Sequence, residues 1–454
     1  MDFFEVNLPE SLPHLVSIDM VQAYKAAVHS ITARTAKLNK ALELSGLEPN
    51  KFHQLAKVLF DQKSKDPNTI LFDERSAEEI AAFVKLIDDG VPTEPRLEWP
   101  NATVLFDTAF TTVKEWESLR HIGIGGSDSA VVMEQSPFRS QRQLYHDKIG
   151  TPMPGKSEQN NIVFARGHAV EEKILEAFAK FAGATRIPES RMFASKKFPH
   201  STANIDGIMR MADGKIFVLE AKTTIEENKA HWLGDKVPRY YMTQVRQYPA
   251  VLDDDRVCGT YISAMFVVDY SIKDLFVDAT FDDGKLITHL IERNKDAETS
   301  LLEEEQAFWS DYIEAGIEPP SGDPMLEKKL VSEMVGPAVK TKGYVPLSGM
   351  NQPLAEKYFA LTEEKKIYEK QADRLSSQIQ EIKNEICLEL GEETVGRISV
   401  SPTEYYEVKF APTKGRTTCD IDALRVLFPE AYNATVTTEP QGYRRFALKK
   451  VQVK

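Results

Sequence analysis

The segment from Asn204 to Lys222 constrains this chain more than any other. Lys215-Ile-Phe-Val-Leu-Glu-Ala-Lys222 is rich in β-branched and apolar residues and follows the turn signal Asp213-Gly214, so it reads as the second arm of a hairpin. Side chains alternate along a strand, which puts Glu220 and Lys222 on one face. Strand parity then decides where Asp206, on the first arm, can go. A two-residue turn at Asp213-Gly214 pairs Asp206 with Ala221 and sends Glu220 and Lys222 to the opposite face. A three-residue loop, Ala212-Asp213-Gly214, pairs Met211 with Lys215 and sets Asp206 opposite Glu220; it ends in a left-handed residue, a role without steric penalty for Gly214. This second register is the one expected. Carboxylates and one ammonium at the mouth of a sheet suit a hard divalent cation held by oxygen, with the ammonium offsetting charge on a phosphodiester. Taken alone, the pattern more commonly describes a solvated hairpin with a cross-strand ion pair.

Three other segments add to it. Arg166-Gly167-His168-Ala169-Val170-Glu171 opens a run in which Val170, Ile174, Leu175, Phe178 and Phe181 recur at helical spacing. The expected amphipathic helix carries Glu171 in its first turn, at the border of the buried stripe, where the helix dipole also favours any acid. Gln244-Val-Arg-Gln-Tyr248 sits on a helix expected to start with Pro238. Upstream lies Trp116-Glu-Ser-Leu-Arg120-His-Ile-Gly-Ile-Gly-Gly-Ser127-Asp128, which is neither a Walker A loop nor a dinucleotide fingerprint. Ser127 there caps a helix through about Met133, or the free N–H groups of that helix start bind a phosphate.

In this order and spacing, the segments resemble the YqaJ and lambda-exonuclease branch of the PD-(D/E)XK nucleases, the phage recombination exonucleases. The family's Gly-x-x-x-Glu falls on Gly167 and Glu171, its metal Asp on Asp206, and its Glu-x-Lys on Glu220 and Lys222. Its Gln-x-x-x-Tyr falls on Gln244 and Tyr248, and its Trp-x-x-x-Arg…Ser on Trp116, Arg120 and Ser127. Gly-Ile-Gly-Gly-Ser-Asp followed by Ser136-Pro137-Phe138 is typical of the YqaJ-like group. The resemblance covers about residues 110–320, and it lacks a second upstream metal-site Asp that some relatives carry.

The resemblance implies a Mg²⁺-dependent exonuclease, with Mn²⁺ as a substitute, acting 5′→3′ on double-stranded DNA ends. Glu171, Asp206, Glu220 and the backbone carbonyl of Ala221 would hold the metal, and Lys222 would position or deprotonate the attacking water. Gln244 would hold the lysine or the scissile phosphate, while Arg120 and Ser127, with Trp116, would receive the 5′-phosphate. It further implies phage or prophage origin in a bacterial cytoplasm, a ring-shaped homo-oligomer, and a single-strand annealing protein as partner. Two rivals share these residues: a structure-specific or nicking endonuclease, and a non-catalytic DNA-binding or assembly protein.

Composition narrows the class. Three scattered cysteines, Cys258, Cys387 and Cys419, suit a reducing compartment and cannot build a disulfide framework or a four-cysteine iron–sulfur cluster. The start Met1-Asp-Phe-Phe-Glu lacks the basic and apolar regions of a secretory signal, and no window reads as a membrane span. No histidine pair has zinc-ligand spacing: His121, His168 and His231 stand alone. His231 and Trp232 either line a DNA path or pack inside, and Tyr240 and Tyr241 either stack on unpaired bases or are partly buried. A net charge of −13 speaks against nucleic acid only on average. Arg120, Arg139, Arg142, Lys148, Arg166, Arg186, Arg191, Lys196 and Lys197 cluster in sequence around the motifs. The acid concentrates elsewhere, in 72–89, Asp253-Asp254-Asp255 and Glu303-Glu304-Glu305.

A chain of 454 residues implies two or three domains. Residues 1–103 read as an independent helical region, with helices over 21–44 and 77–87. Residues 104–320 read as an α/β, restriction-endonuclease-like PD-(D/E)XK domain. It has a loop at 151–157, strands over 256–268 and 274–281, and an acidic helix over 284–314; 319–324 reads as a linker. Residues 325–454 read as a coiled-coil segment and a small α+β cap. Leu354, Tyr358, Leu361, Tyr368, Ala372, Leu375, Ile379, Ile382 and Ile386 form a heptad seam broken once by Lys365, compatible with an antiparallel hairpin or an intermolecular coil. Gly391 stops the helix, and strands are expected over 395–400, 405–410 and 443–451.

Overall fold

The computed structural model describes residues 3–62, 70–91, 93–152, 160–267, 284–335, 347, 349–401, 404–410, 421–430 and 432; for 160–169, 350, 422, 423 and 426 the description is of the backbone alone. The chain forms two units, Met1–Gly336 and Pro337–Lys454.

The first unit begins with three helices, α1 (Ile18–Ser45), α2 (Pro49–Phe60) and α3 (Ala77–Ile87). Ser17 caps α1, and a reciprocal Ser76–Glu79 capping box starts α3 at the expected residue. These helices are not an independent module. Buried Arg34 of α1 donates to Ser30 of the same helix (3.2 Å), but also to Asp73 (2.7 Å), to the Phe110 carbonyl (2.7 Å) and to Glu115 (3.1 Å), so most of the guanidinium's partners lie downstream. Tyr24, Ala27 and Ile31 of α1 share one apolar core with Leu105, Phe106, Leu119 and Met192.

Next come β1 (Ala102–Asp107), α4 (Val113–Leu119), α5 (Gly126–Val132), α6 (Gln141–Lys148), α7 (Asn160–Ala182), β2 (Thr185–Ile187), β3 (Arg191–Ser195), β4 (Thr202–Asn204), β5 (Gly207–Arg210) and β6 (Ile216–Ile225). The unit closes with α8 (Arg239–Leu252), β7 (Val257–Val267), β8 (Leu286–Glu292), α9 (Lys295–Phe308) and α10 (Pro324–Val335). Strands β1, β3 and β4 make an antiparallel sheet; a second sheet has the order β2-β5-β6-β7-β8. Within the latter only β6 and β7 run parallel, and α8 supplies the crossover that such a pair requires. Helix α7 covers one face, where Val170 and Ile174 meet Met265, Val267 and Leu286. Helix α8 covers the other through Val245, Tyr248 and Val251, against Val218, Ile262 and Ala264. The result is a mixed α/β fold with helices on both faces of its larger sheet.

Three expectations change. Helix α7 starts at Asn160, so Glu171 lies in its middle and gains nothing from the helix start. A lone glycine costs a helix only about 1 kcal/mol, and the backbone runs straight through Gly167. The acidic helix begins only at Lys295, capped by Asn294, because Leu286–Glu292 pairs with β7 as a strand at the sheet edge. Gly259 admits that edge: a Cβ there would lie 2.6 Å from the Ile291 carbonyl oxygen. The stretch 319–324 is no linker between domains but an irregular connection inside the unit that runs into α10, and Arg142 pairs with Glu318 before it and Glu327 after it. Most of the expected loop at 151–157 and all of the expected strand at 274–281 fall outside the described residues.

In the second unit α11 (Gln352–Leu390) is one uninterrupted helix of 39 residues, so the heptad seam does not fold back on itself. Gly391, with φ 63°, ends it by donating its N–H to the Cys387 carbonyl. Strands β9 (Val395–Ser401) and β10 (Glu404–Lys409) pair antiparallel, and α12 spans Ile421–Leu427. The strand expected at 443–451, and Cys419, lie outside the described residues. Among the described residues no helix is long and apolar enough to cross a membrane.

Candidate active site

The hairpin has the three-residue loop. Met211 N–H donates to the Lys215 carbonyl (2.8 Å), Gly214 N–H to the Met211 carbonyl (2.9 Å), and Gly214 has φ 85°. The pairs Arg210–Ile216 and Gly207–Leu219 extend this register to set Asp206 against Glu220. Strand β5 stops at Gly207 while β6 continues to Ile225, so the β6 edge is open from Glu220 onward. There the Ala221 N–H donates to Asp206 Oδ2 (2.9 Å). Within a strand a residue's N–H and C=O point to the same side, so the Ala221 carbonyl faces that open edge as well.

Glu220 is buried. Its Oε1 accepts from Lys222 Nζ and from Gln244 Nε2 (2.7 Å), and Gln244 also donates to the Tyr248 hydroxyl (2.8 Å). Its Oε2 is buried with no hydrogen-bond partner among the described residues. Burial, then the charges of Glu220 and Glu171, push the Asp206 carboxyl well above the usual carboxylate range. Burial draws the Lys222 ammonium down, but Glu220 and Asp206 prevail and raise it. Burial, with Glu220 and Asp206, also drives the Tyr248 phenol far up, so it stays neutral. The Lys222 ammonium lies 5.1 Å from the Tyr241 ring centre; Tyr240 packs on Tyr241 (4.3 Å) and edge-on to the exposed Phe138 (5.4 Å). The cluster thus holds three acids against one ammonium, with one carboxylate oxygen left over. Among the described residues, however, no three acidic, histidine or cysteine side chains stand in finished metal-ligand geometry.

The glycine-rich turn serves packing first. Gly125 is the N-cap of α5, and Ser127 is exposed inside the first turn, so Ser127 does not cap the helix. Asp128 instead reaches back to the Gly125 N–H (3.3 Å). A Cβ on Gly126 would lie 2.8 Å from Tyr248 Cε1, and one on Gly123 would lie 2.5 Å from the His200 carbonyl oxygen. The turn therefore presses directly on the tyrosine that accepts from Gln244. Beside it, Asp128 pairs with Lys148 (2.8 Å) and Arg139 (3.2 Å), while Asp147 pairs with Arg139 (3.2 Å) and Arg120 (3.6 Å). Three cations share two carboxylates there. Trp116 does not join them; its half-buried ring packs against Phe106.

The remaining basic residues do not form one channel. Arg186 pairs with Glu172, Arg191 with Glu189, and Lys196 donates to the Pro100 carbonyl; the Arg166 side chain lies outside the description. His121 Nδ1 lies 3.3 Å from the Lys148 carbonyl oxygen, and Trp232 is in the core while His231 is exposed. Sequence reasoning missed Glu305, whose buried carboxylate accepts from Ser129 of α5 (2.5 Å), from Ser201, and from Gln247 of α8 (3.1 Å). Its signal was present: Leu301, Glu305 and Phe308 follow helical spacing on the apolar stripe of α9, so this acid does not belong to a solvated run.

Residues 115–255, which contain every candidate site residue, match the YqaJ-like viral recombinase domain. The uncharacterized protein YqaJ of Bacillus subtilis strain 168 is 24% identical over 350 residues, covering 77% of this chain and 98% of that one. Among solved structures, the alkaline exonuclease LHK-Exo from Laribacter hongkongensis is 16% identical, covering 48% of this chain and 98% of that chain, with a TM-score of 0.30. Its complex with dAMP is 19% identical over the same shares, with a TM-score of 0.33. A phage-related exonuclease from Haemophilus somnus 129PT is 12% identical over 44% of this chain and 97% of that chain, with a TM-score of 0.33.

Proposed function

With its YqaJ-like segment as the premise, we propose that this chain is a Mg²⁺-dependent deoxyribonuclease of the PD-(D/E)XK type, an exonuclease acting 5′→3′ on duplex DNA ends. One observation carries the reading: the hairpin register sets Asp206 against Glu220 at a strand edge, with a buried Glu220 oxygen that has no hydrogen-bond partner among the described residues and a charged Lys222 beside them. Buried carboxylates crowded so that one is driven to hold its proton call for a cation. Asp206, Glu220, the Ala221 carbonyl and Glu171 would hold Mg²⁺, or Mn²⁺ in its place. When bound, such an ion supplies a Lewis acid and a water of lowered pKa.

The chain's own residues do the rest. Lys222 brings a fixed positive charge to a scissile phosphate and orients the attacking water. Gln244 holds Glu220 in place and is itself held by Tyr248, which Gly126 buttresses. Arg120, with the exposed Ser127 on α5, receives the 5′-phosphate, and Trp116 acts through packing beneath that region. The exposed Phe138 and the half-buried Tyr240 and Tyr241 offer rings on which an unpaired base stacks. The protein's context on this reading is a bacterial cytoplasm, a ring-shaped homo-oligomer, and a single-strand annealing protein that takes up the exposed strand.

The test sets a linear duplex with a 5′-phosphate or a 5′-hydroxyl beside a closed circle, with Mg²⁺, Mn²⁺ or chelator. The expected result is metal-dependent loss of the linear DNA, faster from the phosphorylated end, with the circle intact and Asp206→Ala inert. A nicked circle would establish an endonuclease instead. Intact DNA throughout, or a fully active Asp206→Ala, overturns the assignment.

A further inference from the structure

We propose that α11 forms an antiparallel coiled coil with α11 of a second copy of this chain, an assembly surface carried by the second unit. Not one of its 39 residues is buried. Leu361, Leu375, Ile379 and Ile382 are each more than half exposed, along with Leu354 and Tyr368. Helices in proteins draw most of their stability from packing an apolar face, and here these six apolar side chains of one face stand exposed. The seam from Leu354 to Ile386 alternates steps of four and three for nearly five heptads, which places Leu354, Leu361, Tyr368, Leu375 and Ile382 at d and Tyr358, Lys365, Ala372, Ile379 and Ile386 at a. At 1.5 Å per residue the seam runs roughly 48 Å, so its partner must be an equally long apolar stripe.

The identity of the partner follows from matching the seam to itself. In an antiparallel pair each a residue meets a d residue of the other chain. Centred between Tyr368 and Ala372, the layers become Leu354 with Ile386, Tyr358 with Ile382, Leu361 with Ile379, Lys365 with Leu375, and Tyr368 with Ala372. Every layer then joins different residues, and the one small side chain faces a large aromatic one. The twofold axis makes the surface self-complementary, as an isologous dimer requires. A parallel pair instead sets Tyr368 on Tyr368, Ala372 on Ala372 and Lys365 on Lys365, alternately crowding and emptying the core around two facing ammonium groups.

Charges outside the seam agree. Antiparallel pairing brings Lys357 to Glu385 twice. Its one like-charge contact, Glu369 with Glu369, is relieved by Lys365, which lies 3.2 Å from Glu369 on the same helix. Parallel pairing would set Glu364 against Glu369 twice.

The experiment uses the full chain. Sedimentation equilibrium at tens of micromolar is compared for the native protein and for Leu361→Glu/Ile379→Glu, both exposed positions, with far-ultraviolet circular dichroism checking that the helix survives. The expected result is a halving of the assembly mass in the variant. Orientation is read with Cys258, Cys387 and Cys419 replaced by Ser, by mixing a Tyr358→Cys chain with an Ile382→Cys chain under mild oxidation. A mixed disulfide is expected, with neither chain linking to itself. A monomeric native protein, an unchanged mass in the double variant, or self-linking at position 358 overturns the proposal.

Discussion

Replacing Glu305 with Gln should remove a large pH dependence of stability from the first unit. Glu305 is fully buried, and desolvation raises its carboxyl to about 7 from an ordinary 4.5, even though Ser129, Ser201 and Gln247 all donate to it and pull the other way. The folded state therefore binds a proton more tightly than the unfolded chain. This contribution to stability is complete below pH 4.5, declines as pH rises through about 7, and is gone beyond it. The gap of 2.5 pKa units (7 − 4.5) amounts to about 3.5 kcal/mol at roughly 1.4 kcal/mol per unit. A glutamine keeps the shape and stays neutral at every pH. Its N–H can serve Gln247 Oε1, which is buried without a partner among the described residues. Urea unfolding between pH 5 and 8, followed by the fluorescence of nearby Trp309, should give a native protein that loses about 2.5 kcal/mol across this range, against a variant whose curve lacks that decline. The same pH slope in both proteins would refute the reasoning, because it would mean that Glu305 is ionised in the fold at pH 5.

Gly126→Ala should cost about 1–3 kcal/mol by forcing a methyl group into the Tyr248 ring, and should also slow DNA cleavage; an unchanged urea midpoint would show that the ring yields freely. Lys222→Ala should lower the cleavage rate by orders of magnitude and leave Glu220 buried without its cation, a loss of about 3 kcal/mol at neutral pH without metal. Thermal melting should show millimolar Mg²⁺ recovering part of that loss; no recovery would place the metal elsewhere. Arg120→Ala, and separately Ser127→Ala, should erase the preference for a 5′-phosphate over a 5′-hydroxyl end in single-turnover digestion. A preference kept in both variants leaves that corner with a purely structural role.

The features legible in the sequence are those decided over a few residues. Parity between Asp206 and Glu220 sets the hairpin loop, and Gly214 duly adopts φ 85°. The Ser76–Glu79 box and Gly391 mark helix ends, because a helix terminus must satisfy its own backbone groups locally. The heptad seam of α11 is equally plain, since its period belongs to the helix and needs no partner to be read.

Tertiary structure decided everything that depends on who lies opposite whom. Arg34 draws its partners from Asp73 and Glu115, which fuses the N-terminal helices to the rest of the unit. Ser129 and Glu305 stand 176 residues apart in sequence, yet one hydrogen bond joins them. The basic residues that cluster in sequence around the motifs are largely dispersed into ion pairs, and the glycines of the phosphate-like turn are there because Tyr248 and His200 approach within contact distance. Periodicity and capping are short-range and repeat along one segment. The protonation of Asp206, the charge of Lys222 and the burial of Glu305 depend on the dielectric and the neighbours that the folded chain assembles, and no single segment contains those.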